Sequence, residues 1–231
     1  MCVVTFLKTK KGVFLTSNRD EKNTRKALYP KTYLHDNLQL CYPKDLEKGG
    51  TWFAVDAHQK RATCLLNAKG VQPSATNQLS RGEIPIRYLT NEKSILSKPI
   101  LIKMAPFTLI CVQYDNDFLV KEYAWNGKQM GVKILDENVP HIWCSNTLYG
   151  KTDKDYLTKT FMKESHNLMT LEDIVSFHKS VAQPPKANVF LKQDEDLQTV
   201  SITSIKATQN GETSYYTDLL DGATHVLTKV Y

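Results

Sequence analysis

Short runs of apolar residues separated by turn residues dominate both ends of the chain, and a helical period replaces them in the middle. Residues 2–7 are β-rich, Gly12 marks a turn, and 13–16 form a second run, so the pattern predicts an opening hairpin. That hairpin is expected to end at Asn18-Arg19-Asp20-Glu21, with four polar side chains at a strand terminus, before an irregular basic segment running to about Lys48. Gly49-Gly50 then precedes a strand over 51–55, a turn at 56–60 and a strand over Arg61–Asn67. A loop over 68–79 leads to Ser80-Arg81-Gly82-Glu83, a capping-box pattern that predicts a helix through about Leu96, with Pro85 tolerated in its first turn. Strands are expected at Phe107–Gln113 and 118–125, joined by the turn Asp115-Asn116-Asp117, and at His141–Cys144, ending on Ser145-Asn146.

Two helices follow. One, over 153–164, carries Tyr156, Leu157, Phe161 and Met162 near helical spacing; the other, capped by Thr170, carries Leu171, Ile174, Val175 and Phe177 and is stopped by Pro184-Pro185. Alternation returns over 197–231, where Asn210-Gly211 is a strong hairpin signal. Strands at both ends with helices between them predict one α+β layered domain of antiparallel sheets over 1–231.

Composition narrows the class. The chain has 231 residues, 41% apolar and 23% charged, which fits a globular protein able to bury a core. No apolar run approaches the roughly 18 residues of a membrane span. The net charge of +6 comes from 25 Lys but only five Arg, and the Lys are spread out, which reads as a solvated surface rather than a nucleic-acid reader. The densest basic stretch, 8–31, flanks Ser17-Asn18-Arg19-Asp20-Glu21 and suits an anionic ligand. Five cysteines without a CxxC predict neither a disulfide framework nor a metal site; Cys64 and Cys111 lie in apolar runs and are expected to pack as small hydrophobes. The start of the sequence lacks a signal-peptide pattern, so a cytoplasmic location is expected.

Cys2 is the unusual cysteine. Removal of Met1 would give it a free α-amine, with an unperturbed pKa of about 8, beside its thiol. One residue then supplies nucleophile and general base, the logic of an N-terminal nucleophile. A thiolate needs positive potential nearby, and hairpin pairing is expected to bring Arg19 and Asp20 back beside position 2. Asn67 and Asn146, and less directly Asn18, sit at predicted strand ends where a side-chain amide can face an oxyanion. Gly49-Gly50-Thr51-Trp52 reads as architecture, with glycines for close backbone approach and Trp52 at a core edge or a ligand; Arg81 and Glu83 read as helix capping or ligand contacts. His35, His58, His141, His166, His178 and His225 show no paired spacing, and no CxxCH is present.

Met1-Cys2, Ser17-Asn18-Arg19-Asp20-Glu21, Gly49-Gly50-Thr51-Trp52, Asn67, Ser80-Arg81-Gly82-Glu83 and Ser145-Asn146, taken together, resemble the NRDE family, also called the transport and Golgi organisation 2 family. The resemblance implies an Ntn-hydrolase-like αββα sandwich and, more distantly, similarity to the cysteine acylases that cleave bile-salt and penicillin V amides. It implies Cys2 as nucleophile, Arg19 and Asp20 as the residues that polarise the thiol and hold the amine, and Asn67 and Asn146 as oxyanion or amine contacts. The acylases also use a late arginine, whereas no Arg follows Arg87 here. Two functions are therefore expected as alternatives. One is a hydrolase of linear, non-peptide C–N bonds that needs no cofactor. The other is a non-catalytic carrier of haem or an acyl ligand on the same fold.

Overall fold

The computed structural model describes residues 3–74, 78–95, 97–115, 118–182, 197–208 and 210–230. Met1, Cys2, Leu96, the Asn116-Asp117 part of the expected turn and Pro184-Pro185 lie outside these residues. In chain order the strands and helices are β1 (Val3–Thr9), β2 (Gly12–Lys22), β3 (Ala27–His35), β4 (Leu38–Asp45), β5 (Phe53–Asp56), β6 (Arg61–Asn67), α1 (Ile84–Thr90), α2 (Glu92–Ile95), α3 (Lys98–Leu101), β7 (Phe107–Gln113), β8 (Leu119–Trp125), β9 (Met130–Leu135), β10 (His141–Cys144), α4 (Lys151–Glu164), α5 (Leu171–Ala182), β11 (Leu197–Thr208), β12 (Gly211–Asp218) and β13 (Thr224–Val230). The class is α+β, and the strand pairings within both sheets are antiparallel, as the sequence pattern implied.

The chain divides into two compact units, Met1–Thr24 with Glu137–Tyr231, and Arg25–Asp136. The first holds a sheet of order β10-β1-β2-β11-β12-β13. Its central strand, β2, is buried from Val13 to Asp20 without a break, because β1 and β11 flank it and both its faces are covered. One face carries α4 and α5: Val3, Leu7 and Phe14 of the sheet pack with Leu157, Phe161, Ile174, Val175 and Phe177 of the helices. The helical spacing of those apolar residues is what turns one side of each helix toward the sheet.

The second unit is a meander of order β3-β4-β5-β6-β7-β8-β9, with α1, α2 and α3 inserted between β6 and β7. Here β7 and the strands beside it form the core, with Cys64 and Cys111 buried as small hydrophobes. Burial and the nearby Glu92 carboxylate push the Cys111 thiol well up, while hydrogen bonding to Tyr88 partly opposes that shift.

Four expectations are corrected. Asn18 to Glu21 do not end a strand; β2 continues to Lys22 because β11 pairs with its second half, Gln198 opposite Glu21. The basic segment before Lys48 is the hairpin β3–β4, an edge pair whose polar outer residues hide the alternation, with Pro30 inside a register shift between Leu28 and Lys31. The helix expected from Ser80 is broken. A single 3₁₀ turn over Arg81–Glu83 precedes α1, and Asn91 is extended (φ −158°), while the Arg61 guanidinium takes the Leu89 carbonyl at 2.7 Å. Finally, β9 was not expected, although Met130, Val132 and Ile134 alternate with Gly131 and Lys133; the run is short and most of it faces solvent.

Candidate functional site

The NRDE string lies on β2, next to the strand that follows Cys2. Register pairs Val4 with Ser17 and Thr5 with Thr16. Because side chains alternate across a sheet, Asn18 and Asp20 share a face with Phe14, whereas Ser17 and Arg19 share the other face with Val4. Consecutive charged residues therefore work on opposite sides.

On the helix face, Asp20 is 2% exposed and its carboxylate accepts hydrogen bonds from the Tyr149 hydroxyl at 3.0 Å and the Thr199 hydroxyl at 2.5 Å. These donors replace the water that burial removes, which an ionised carboxylate requires. Asn18, fully buried, donates from Nδ2 to the His178 carbonyl at 3.2 Å, and its Oδ1 lies 2.6 Å from His178 Nδ1. The Thr5 hydroxyl meets His178 Nε2 at 2.8 Å. Asn18 Oδ1 can only accept, so Nδ1 carries the proton and Nε2 accepts from Thr5. Burial holds the His178 pKa down to about 3, so the ring is neutral. Asn18 thus ties β2 to α5 and to β1.

The opposite face of β2 carries Arg19, which is also buried. Across from it, the pairing with β11 slips between Thr199 and Ser201, leaving Val200 as an extra residue whose carbonyl accepts from Leu219 N at 2.9 Å. This bulge faces the Arg19-Asp20 step, and bulges of this kind re-aim side chains beside functional positions. Asn146 follows β10 and is exposed, with its Oδ1 taken by the Lys154 ammonium. Cys144, paired with Val3, has its thiol pushed up to about 12 by burial, with the Lys154 charge opposing.

The other expected residues lie in the second unit. Asn67 closes β6 opposite Phe107, half-buried. Trp52 is buried, and its carbonyl accepts from Leu65 N at 2.9 Å. The two glycine-bearing motifs meet: a Cβ on Gly50 would lie 2.6 Å from the Gly82 carbonyl carbon, and Thr51 N donates to Gly82 O at 2.8 Å. Gly49, at φ +71°, makes the turn that permits this approach. Arg81 donates to the Pro106 carbonyl at 3.1 Å, and burial lowers its pKa, with Arg25 adding to the shift. Glu83 pairs with Arg87 at 2.7 Å along α1, and Ser80 accepts from Gly82 N at 3.3 Å. The motifs Gly-Gly-Thr-Trp and Ser-Arg-Gly-Glu therefore form one architectural contact.

Sequence reasoning missed Tyr149, Thr199 and His178 as partners of the NRDE string. They lie more than a hundred residues away in sequence, and a lone Tyr, Thr or His carries no spacing signal. Among the described residues no cluster of His, Cys, Asp and Glu is arranged to hold a metal ion, and no helix is long and apolar enough to cross a membrane.

No individual curated protein matches the chain. A family model described as transport and Golgi organisation 2 matches residues 1–219, across both units. The protein therefore belongs to the transport and Golgi organisation 2 family, the one its NRDE string resembles.

Proposed function

We propose that this protein is a cytoplasmic N-terminal-cysteine amidohydrolase for linear, non-peptide C–N bonds, built as one functional domain on an Ntn-hydrolase-like αββα sandwich. One observation carries the reading. Arg19 and Asp20 are both buried in the middle of a sheet, beside the strand that begins one residue after Cys2. Two charged side chains out of water are expensive, and such groups concentrate where chemistry uses them.

In this reading Cys2, the residue before β1, supplies both nucleophile and base. The α-amine takes the thiol proton, and the thiolate attacks the amide carbonyl carbon. Collapse of the tetrahedral intermediate breaks the C–N bond, and the ammonium returns its proton to the departing amine. Water then cleaves the thioester, giving a carboxylic acid and restoring the thiol. Arg19 favours the thiolate. Asp20 acts as a positioning residue, fixing β2 through Tyr149 and Thr199. Asn146, its amide oxygen engaged by Lys154, offers its NH₂ to the oxyanion.

The test is intact mass together with turnover of a panel of N-acyl amides. Loss of Met1, and loss of turnover in both Cys2→Ser and Cys2→Ala, is expected. Active protein that retains Met1 overturns the mechanism. A saturable Soret shift with haem that survives Cys2→Ala, without turnover of any amide, replaces it with the carrier reading.

A further inference from the structure

We propose that the open edge of β9 is a self-association surface, which pairs antiparallel with β9 of a second copy of this chain. Among the described residues this strand closes the second sheet and pairs with β8 on one side only. Register sets Met130, Val132 and Ile134 beside Trp125, Tyr123 and Lys121, so the three apolar side chains share one face. Val132 is 50% exposed and Ile134 72% exposed. Unpaired edges with bare apolar side chains invite pairing, and most proteins protect them with charges, prolines or bulges. This edge has one charge, Lys133, and it points to the opposite face, 3.8 Å from Glu122.

The choice of partner follows from the spacing. In a two-fold arrangement centred on Val132, that residue meets itself, Met130 meets Ile134 of the second copy, and Gly131 meets Lys133. Opposed residues of an antiparallel pair share a face, so six apolar side chains form one ladder with the small Gly131 opposite each lysine. A shift of one residue sets Val132 against Lys133 or Gly131. A shift of two, centred on Lys133, sets the two lysines against each other, which is unfavourable. The opposite shift of two, centred on Gly131, pairs Val132 with Met130 but leaves Ile134 opposite Lys128, so only the Val132-centred register pairs all three apolar residues and keeps the lysines apart; it is isologous, as a closed dimer requires. An unrelated extended peptide would lack this match. Six residues (Met130–Leu135) of edge from each copy bury well below the roughly 1,600 Å² of a standard interface, so the dimer is weak, with a Kd on the order of 100 μM.

Sedimentation velocity over about 10 μM to about 1 mM tests this, because those concentrations bracket the expected Kd. The weight-average mass should rise from 26.3 kDa toward twice that value. Val132→Lys, which places like charges on the two-fold axis, should hold the protein at the monomer mass, with an unchanged far-UV spectrum because the side chain is half exposed. A second measurement uses mild oxidation. Val132→Cys should form a reducible dimer, because directly opposed Cα atoms lie about 4.5–5.5 Å apart. Lys133→Cys should not, because its counterpart is more than about 7 Å away in this register. A protein that stays monomeric at every concentration overturns the proposal, as does a Val132→Lys dimer or faster cross-linking through position 133.

Discussion

Protonation of His178 is the perturbation whose cost can be worked most directly from the structure. The ring is fully buried, with Thr5 on one nitrogen and Asn18 on the other, and its pKa is held down to about 3 from an ordinary 6.5 by burial. The unfolded chain therefore takes up the proton first as pH falls. The stability contributed by the neutral ring is complete above the unfolded pKa and is lost progressively as pH drops from 6.5 toward 3. Each pH unit within that window costs about 1.4 kcal/mol, so the step from about pH 7.5 to about pH 4.5 removes roughly 3 kcal/mol. That is a large part of the roughly 5–15 kcal/mol stability of an ordinary domain. Urea unfolding followed by circular dichroism at both pH values should show this loss in the wild type. His178→Asn keeps a donor toward Asn18 Oδ1 but cannot titrate, so its pH-dependent loss should be smaller by the same roughly 3 kcal/mol, whatever its starting stability. Parallel pH profiles for the two proteins would refute the argument.

Three further outcomes follow from the packing. Gly50→Ala drives a Cβ into the Gly82 backbone at 2.6 Å and should cost about 1–3 kcal/mol, whereas Gly49→Ala meets open space and carries only the roughly 1 kcal/mol penalty of a positive φ. Thermal melts that rank the two variants the other way would contradict the close contact. Tyr149→Phe and Thr199→Val each leave the buried Asp20 carboxylate one donor short, so each should lower unfolding stability by about 1–3 kcal/mol, read by the same urea titration. Alkylation of the native protein at about pH 8, with peptide mapping, should label Cys144 and Cys111 slowly, because burial raises both thiols, and should label Cys2 first if the proposed reaction holds.

Elements with a covered face were legible in the chain. Arg61–Asn67, Phe107–Gln113 and His141–Cys144 form strands with the bounds their runs predict, and α5 follows the spacing of Leu171, Ile174, Val175 and Phe177. Burial of one face imposes a period on sequence, and a period can be read. Two edge strands, β3 and β9, escaped this rule, although β10, also at an edge, did not. About half of β3 faces solvent, and Pro30 and Lys31 interrupt its pattern; β9 alternates, but it is six residues long and mostly exposed, so no buried face marks it. The break at Asn91 escaped for another reason: Arg61, thirty positions earlier, claims a carbonyl of α1.

The sequence by itself determined the class and the family, because each rests on local pattern: alternation, helical spacing, and the NRDE string behind Cys2. Only the tertiary structure decided what the residues of that string touch. Arg19 and Asp20 are neighbours in sequence yet act on opposite faces of β2, since a strand turns successive side chains apart. Asp20 is held by Tyr149 and Thr199, and Asn18 by His178, through contacts that form only when the segment between β10 and α4, β11 and α5 come to lie against β2. The Gly50–Gly82 contact likewise exists only once two distant turns meet. Partners brought together by folding leave no spacing in the chain, so their roles appear only in three dimensions.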